Sequence, residues 1–298
     1  MGMARTSAAI PSPVSGWAAR MRTPGSSRRV MAKKPGSSSK ARIGAFRHAL
    51  AAKVRTRAAS PPLRKKTQSG NRPMESPHVT IEPSILYLGT PVVLISTMNE
   101  DGSANLAPMS SAWWLGWRCM LGLAAISRTP QNLIRTGECV LNLPSVGEAA
   151  AVNKLARLTG SDPVPEFKQK LGYTHERNKF EIAGLTPVAS QTVRAPRVRE
   201  CPVQLEAVLS ASHDMMADDP KTRGFISCYE VRITRVHIHP SILLAGHPNR
   251  VDPDKWKPLI MIFQKLYGLA DSEALPSRLA QIDESNYREL VSNLGDEV

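Results

Sequence analysis

The sequence predicts a mainly β protein with peripheral helices, whose strands form an antiparallel barrel. Two observations support this fold class. Short apolar runs rich in β-branched residues are separated by glycine-containing turns, and amphipathic helical segments are inserted between them. The 298 residues are 42% hydrophobic and 21% charged, so the chain is long enough for one domain with a sizeable core and a tail.

A hairpin opens the predicted barrel. The run 91–97 is apolar and β-branched, and Asn99–Gly102 supplies Asp-Gly turn chemistry directly after it. Segment 103–116 is the predicted return strand. Its Pro108 cannot donate to a central ladder, so we expect a bulge or a sheet edge there. Segment 117–126 is the predicted third strand, entered through a tight turn.

A helix of about two turns and a further strand follow. Thr129 is the predicted cap, and Pro130 suits the first helical position, where its missing N–H costs nothing. Gly137 is expected to end the helix in the left-handed conformation, before a strand over 138–144. Two apolar residues of this helix are expected to face the core: Leu133 and Ile134.

Two more helices are predicted in the middle of the chain. Segment 145–160 begins with Ser145 and Glu148 at the spacing of a capping box, and Gly160 is its expected stop. A shorter helix is predicted over 165–172. These helices are expected at the periphery of the barrel.

Two long alternating segments, 197–211 and 224–239, are predicted strands separated by a polar loop. The apolar positions of the second do not keep one phase, so we expect a bulge near Tyr229–Glu230. The apolar segment within 252–269 closes the domain, and a helical, acidic segment follows it.

The positive charge is concentrated at the start of the chain. Residues 1–76 hold 17 of the 39 lysines and arginines and a single acid, Glu75, so this segment carries about +16 and the remainder about −2. The pI near 10.0 therefore describes the tail. Because the tail has few large apolar residues, we predict a disordered basic tail over 1–73 and a folded domain over 74–298.

Three interpretations of the tail stay open. Met74 is an alternative start at the point where the composition turns globular, which would leave the tail outside the functional protein. An acid-free segment rich in arginine and serine is also typical of a transit peptide. Its charge suits non-specific contact with nucleic-acid phosphates. No apolar run approaches the ~18 residues of a membrane span, so a cytoplasmic protein with no membrane partner is expected.

The cysteines and histidines do not predict a metal site. Four cysteines are far apart and form no CxxC pair, which favours a reduced, intracellular protein. His237 and His239 alternate on one strand, and no third ligand stands at a suitable spacing. Three cysteines lie in strand-like apolar runs and are predicted to be small buried hydrophobes: Cys119, Cys139 and Cys228.

An anion site is the strongest functional signal. Ser127, Arg128 and Thr129 stand at a predicted helix N-terminus, where free N–H groups and a partial positive charge favour a phosphate. The alternative is that the hydroxyls only cap the helix and that Arg128 lies in solvent.

The order of segments resembles the flavin reductase-like family, the FMN-binding split β-barrel proteins that include flavoredoxins. The resemblance covers about 85–269 and is most specific over 91–144. One departure is that Pro130 follows Thr129 at once, where family members often carry a threonine later in the loop. The matching residues are Asn105, Ala107, Pro108, Ser110, Ser111, Ser127, Arg128, Thr129, Thr136, Gly137, Glu138, Cys139, Val140 and Asn142.

The resemblance implies an antiparallel Greek-key split barrel with an FMN site. The phosphate would be held by Ser127, Arg128 and Thr129, with Gln131 and Asn132 nearby. Tyr267 is a further candidate contact, with core packing as its alternative. The ring or ribityl side would be lined by Asn105, Ala107, Pro108, Met109, Ser110 and Ser111.

The resemblance also implies an FMN-binding oxidoreductase that uses NADH or NADPH and forms a homodimer. No acid or base is essential for hydride transfer to a flavin, so no catalytic residue is identified. A flavoredoxin-type electron carrier is the first alternative, and a nucleic-acid-associated protein acting through the basic tail is the second. Three tryptophans are expected in the core or at an interface, with stacking on the flavin as the alternative: Trp113, Trp114 and Trp117. Three arginines are expected on a solvated face, with a nicotinamide dinucleotide phosphate as the alternative partner: Arg194, Arg197 and Arg199.

Overall fold

The computed structural model describes residues 78–271, 274–282 and 284. The predicted tail over 1–73 lies outside this part of the chain, as do most of the residues of the predicted acidic C-terminal segment. The four α-helices of the described part are α1 (Arg128–Thr136), α2 (Ala149–Leu155), α3 (Glu166–Lys170) and α4 (Lys179–Ala183). Short 3-10 helices span Val146–Glu148, Pro240–Ile242 and Arg278–Gln281.

Strands dominate the described chain. They are β1 (Thr90–Pro91), β2 (Val93–Met98), β3 (Ala104–Met109), β4 (Ala112–Leu115), β5 (Arg118–Ala124), β6 (Glu138–Leu143), β7 (Leu158–Thr159), β8 (Thr174–His175), β9 (Pro187–Val188), β10 (Arg197–Val198), β11 (Val203–Asp214), β12 (Ile226–Ile238), β13 (Ile260–Ile262) and β14 (Lys265–Tyr267).

The central element is a seven-stranded antiparallel sheet in the order β3-β2-β6-β11-β12-β5-β4. Strands β3 and β4 follow each other along the chain with only Ser110 and Ser111 between them, yet they form opposite edges of this sheet. The sheet must therefore curl until its two edges approach each other at this corner. The result is a barrel that is not closed by a ladder, which confirms the predicted split barrel with peripheral helices.

The corner at Ser110–Ser111 corrects the prediction of one interrupted strand over 103–116. Hairpin β2–β3 forms as predicted, and Pro108 lies opposite Leu94 at the free edge of the sheet. The interruption comes after Met109 rather than at the proline, because an edge strand tolerates a residue without an N–H. Beyond the corner, the amide of Gly122 in β5 donates to the Ser111 carbonyl at 2.8 Å.

Both faces of β2 are buried. One set of alternating positions, Val93 and Ile95, packs inside the barrel with Leu121 and Tyr229. The other set packs against α2 and α4 in a second cluster that includes Leu94, Leu106, Val152, Leu155 and Phe180. This explains the continuous apolar run in the sequence, since a strand covered on both faces needs no polar side. Cys119 and Cys139 are core residues, as predicted.

Helix α1 begins earlier than expected. Its N-cap is Ser127, with extended φ and ψ of −79° and 154°, and Thr129 is the second helical residue rather than the cap. Pro130 is the third helical residue rather than the first, and it is tolerated there because the first four N–H groups of a helix have no intrahelical partner. Gly137 ends the helix at φ 71°, as predicted. Leu133 is buried, but the prediction for Ile134 is wrong because it is 59% exposed.

The predicted capping box is present, but the helix after it is shorter than expected. The Ser145 amide donates to Glu148 Oε2 at 2.8 Å, and the Gly147 amide donates to Ser145 Oγ at 3.3 Å. Helix α2 ends at Leu155, before Gly160, because the chain turns into β7 to pair with β8. Helix α3 forms within the segment predicted for it.

The long strands differ from their predictions in two places. Segment 197–211 is divided, because β10 pairs with β9 and β11 begins after Pro202. In the ladder between β11 and β12, Ser210 is the extra residue near Glu230, and Thr234 is the extra residue of β12. The irregularity near Glu230 therefore belongs to β11, and β12 itself is bulged further along.

Candidate functional site

A hollow of about 190 Å³ lies where β3, the start of α1 and the segment from α2 to α4 meet. It brings together the two separate regions that the sequence singled out. The candidate residues that line it are Asn105, Ala107, Pro108, Met109, Ser127, Arg128 and Thr129. Part of its wall is apolar and is supplied by Leu123, Leu155 and Leu158.

The other candidate residues lie outside this lining: Ser110, Ser111, Gln131, Asn132 and Tyr267. Asn132 is buried and its Nδ2 donates to Thr97 Oγ1 at 3.1 Å, so it supports the site from behind. The Gln131 side chain donates to the Ile126 carbonyl at 3.3 Å. Tyr267 lies in β14, a strand outside the seven-stranded sheet. Their contact with a ligand stays a prediction.

The first turn of α1 lines the hollow. The N-cap Ser127 makes no side-chain cap bond, and its Oγ instead accepts from Lys168 Nζ at 2.9 Å. A helix N-terminus left open in this way carries a partial positive charge and unpaired donors. Arg128 Nε donates to the Gly160 carbonyl at 3.1 Å, which holds this guanidinium beside the same turn.

Asn105 is the buried junction of the hollow. Its Nδ2 donates to Thr129 Oγ1 at 3.1 Å and to Thr97 Oγ1 at 3.3 Å, and its Oδ1 accepts from Lys179 Nζ at 3.0 Å. One side chain of the edge strand β3 thus connects the first turn of α1 with α4. Its position is fixed by bonds to other residues, so it orients the site.

Lys179 is a site residue that sequence reasoning missed. It is only 2% exposed, although it is the first residue of a short helix. Burial, and to a lesser extent nearby Lys168, lower the pKa of its amine to about 7, with Glu176 opposing the shift. Among the described residues, the hydrogen-bond partner of its Nζ is the neutral amide oxygen of Asn105. No feature of its local sequence distinguishes it from an exposed lysine.

Lys168 of α3 was missed as well. Burial lowers the pKa of its amine, and its Nζ lies 5.7 Å from the centroid of the Tyr173 ring in addition to its bond with Ser127. Together with Arg128 and Lys179 it supplies three cationic groups to one hollow. No carboxylate is among the described residues that line this hollow. The arrangement favours an anionic ligand, because low-dielectric walls concentrate the field of like charges.

Gly160 allows the elements of the hollow to approach each other. A Cβ at this position would lie 2.5 Å from Asn105 Oδ1 and 3.2 Å from Arg128 Cγ. Backbone approach of this kind requires a residue without a side chain. The role of Gly160 is therefore close packing at the site, rather than the helix stop that the sequence predicted.

A second hollow of about 290 Å³ adjoins the first and shares Asn105, Arg128 and Gly160 with it. Its character is different, because acidic side chains contribute to its lining: Glu100, Asp101, Asp162 and Glu176. Arg177 Nη2 pairs with Asp101 Oδ2 at 2.5 Å. The field along the two hollows therefore changes from positive at the start of α1 to mixed beyond it.

The remaining polar and aromatic candidates lie elsewhere. Trp113 and Trp117 are 56% and 49% exposed, so the expectation of core positions is wrong for these two side chains, and their place at an interface stays a prediction. Trp114 packs partly buried against the barrel core. The Arg194 guanidinium pairs with Glu138 at 3.1 Å, so it does not reach the hollow.

Comparison with known proteins assigns the chain to a protein family. The family model of the flavin reductase like domain matches residues 86–262, and the chain belongs to this family. An uncharacterized protein of Bacillus subtilis (strain 168), YdfE, is 38% identical over 189 residues, which cover 63% of this chain and 88% of that protein.

Solved structures agree on the fold. Flavoredoxin of Desulfovibrio vulgaris (Miyazaki F) superposes with a TM-score of 0.53 at 20% identity, covering 68% of this chain and 98% of the flavoredoxin. Nitrilotriacetate monooxygenase component B from Bacillus cereus superposes with a TM-score of 0.52 at 19% identity, covering 67% of this chain and all of that one. Membership of the family supports a flavin-related oxidoreductase function. In the described part of the chain, no helix is long and apolar enough to cross a membrane.

Proposed function

We propose that the protein is an FMN-binding oxidoreductase reduced by NADH or NADPH, and that the hollow at the start of α1 holds the FMN phosphate. The observation that carries this proposal is the meeting of three cationic side chains with an open helix N-terminus: Arg128, Lys168 and Lys179. A phosphate monoester carries a charge of about −1.5 to −2 and accepts several hydrogen bonds. The donor set fits it, since Lys179 in its protonated form has two N–H groups beyond the one bonded to Asn105.

The edge strand β3 supplies the side of the site where the ring and ribityl chain belong. Residues Asn105–Met109 line the hollow, and β3 has a neighbouring strand on one side only. Alternate N–H and C=O groups of an edge strand are not used by the ladder, so they are available to the polar edge of a flavin. The adjacent Ser110–Ser111 corner lies outside the strands, although the Ser111 carbonyl still accepts from the Gly122 amide.

The charge of the second hollow favours a mononucleotide over a dinucleotide. A ligand that continues past the phosphate would pass Arg128 and meet Glu100 and Glu176, in addition to Asp101, which is paired with Arg177. A second phosphate beside these carboxylates is repelled at short range. This supports FMN rather than FAD as the cofactor.

Bound flavin supplies the hydride and electron chemistry. The protein positions the cofactor, neutralises its phosphate and shields it from water. No acid or base of the chain is required in this role. An exposed apolar group on β4 and its turn supports a homodimer that covers it: Trp113, Leu115 and Trp117.

The test is an absorbance spectrum of the purified full chain after incubation with FMN and gel filtration. We expect a flavin band that coelutes with the protein and is bleached by NADH or NADPH under anaerobic conditions. Bleaching by neither nucleotide, with flavin bound, would identify an electron carrier that is reduced by another partner. Protein that elutes free of flavin would contradict the proposal.

A further inference from the structure

We propose that Lys179 is the innermost counterion of the FMN phosphate and that it takes up a proton when FMN binds. This inference rests on the proposed function, because it concerns the same hollow. It adds a pH-dependent step to cofactor binding that is carried by one side chain of α4.

The geometry places Lys179 beneath the first turn of α1. Its Nζ lies 3.0 Å from Asn105 Oδ1, and Asn105 Nδ2 lies 3.1 Å from Thr129 Oγ1. The amine is thus one side chain away from the helix N-terminus, and Lys179 itself lines the hollow. An amine in this position can neutralise the charge of an anion bound there only if it is protonated.

The charged groups around Lys179 come from several elements. Helix α1 contributes Arg128 to the same hollow, and α3 contributes Lys168, which disfavours a second ammonium. The segment before α4 contributes Glu176, which favours it. Strand β3 presents only the Asn105 amide, and α2 presents the apolar Leu155.

Burial, and to a lesser extent Lys168, lower the pKa of Lys179 to about 7, so much of the free protein carries a neutral amine there at neutral pH and above. A dianionic phosphate in the hollow raises the pKa of Lys179, because an opposite charge within a few ångströms favours the charged form. The bound pKa is therefore higher than the free one. Binding takes up a proton at every pH between these two values.

The sign of the pH dependence follows. Below about pH 7 the amine is already protonated, and this group adds no pH dependence. As the pH rises above about 7, each binding event must supply a proton, so the dissociation constant of FMN increases by about tenfold per pH unit until the bound pKa is reached. Riboflavin lacks the phosphate and should show neither effect.

The experiment is isothermal titration calorimetry of FMN into the flavin-free full chain at about pH 8.5, in two buffers with different ionisation enthalpies. We expect an uptake approaching one proton per FMN, and none with riboflavin. Lys179→Met should abolish the uptake and weaken FMN binding. The matched control is Lys154→Met, which removes an exposed lysine of α2 and should leave both quantities unchanged.

Lys179→Arg is a second variant that tests the role of Lys179 even if Lys179→Met does not fold. An arginine remains protonated over this pH range, so this variant should bind FMN without proton uptake and without the tenfold change per pH unit. Proton uptake that persists in either variant, or FMN binding by the wild type without uptake, would overturn the role of Lys179. Absence of FMN binding at any pH would instead remove the proposed function itself.

Discussion

Glu206 and Lys179 are two buried ionisable side chains with opposite surroundings. Glu206 is fully buried in β11, and its carboxylate accepts bonds from the Gln191 amide at 2.8 Å and the Thr192 hydroxyl at 2.6 Å. His237 Nε2 lies 2.7 Å from the same carboxylate. Lys179 has one neutral partner in the described part of the chain, Asn105. The first charge is compensated within the protein, and the second is compensated only when an anion enters.

The pKa values follow this difference. Burial alone would raise the pKa of Glu206, but the hydrogen bonds from Thr192, Gln191 and His237 outweigh it and lower the pKa to about 2. Lys179 has only the partial compensation of Glu176, and its pKa falls to about 7. A charge that the fold stabilises indicates a structural role, whereas one that the fold destabilises indicates a role in ligand binding.

The largest expected effect is on stability. Glu206→Ala should lower the free energy of unfolding by about 3 to 5 kcal/mol, because it leaves two backbone amides and His237 without their acceptor. Lys179→Met should change it by less than about 1 kcal/mol in the flavin-free protein, because the lost bond is offset by relief from burying an amine. Urea unfolding of the full chain measures both. Equal decreases in the free energy of unfolding of the two variants would contradict the distinction between the Glu206 and Lys179 regions.

The next effect is the acid sensitivity of the Glu206 region. Its pKa in the folded protein, about 2, is below the ordinary 4.5, so its contribution is complete above about pH 4.5 and is lost as the pH falls towards 2. As the pH falls over this interval, the free energy of unfolding of the wild type should decrease by roughly 2 kcal/mol more than that of Glu206→Gln. Thermal unfolding at a series of pH values measures the difference. If stability decreased equally with falling pH in the two proteins, the lowered pKa of Glu206 would be contradicted.

A smaller effect is expected in the hollow itself. Gly160→Ala places a Cβ 2.5 Å from Asn105 Oδ1, so the junction with Lys179 must shift. We expect FMN affinity to fall by about tenfold, or ~1.4 kcal/mol, measured by quenching of flavin fluorescence. Gly147→Ala is the matched control, because its Cβ would make only an ordinary contact with Ser145 Oγ at 3.5 Å. Similar FMN affinities for the two variants would show that the close approach at Gly160 is not required for FMN binding.

Local chemistry explains what the sequence could predict. The Asp-Gly turn correctly predicted the hairpin β2–β3, Gly137 predicted the end of α1, and Ser145 with Glu148 predicted a capping box. Each of these features depends on residues a few positions apart. The start of α1 was displaced because both Ser127 and Thr129 are good caps, and the choice depends on Asn105, which engages Thr129 from another strand.

The cationic half of the site could not be predicted, because it depends on tertiary packing. Lys168 and Lys179 lie in short helices whose sequences suit a solvent-exposed surface. Their burial results from the way the segment after α2 folds back over β3 and α1, which no local pattern encodes. The candidates taken from β3 and α1, by contrast, came from a contiguous motif and converge on one hollow.

The most direct test of the account is a crystal structure of the full chain with FMN bound. We expect the phosphate within hydrogen-bonding distance of the first turn of α1, with Arg128, Lys168 and Lys179 around it and the ring beside β3. A phosphate located elsewhere, for example in the separate hollow of about 410 Å³ beside Trp117 and Val251, would contradict the central claim.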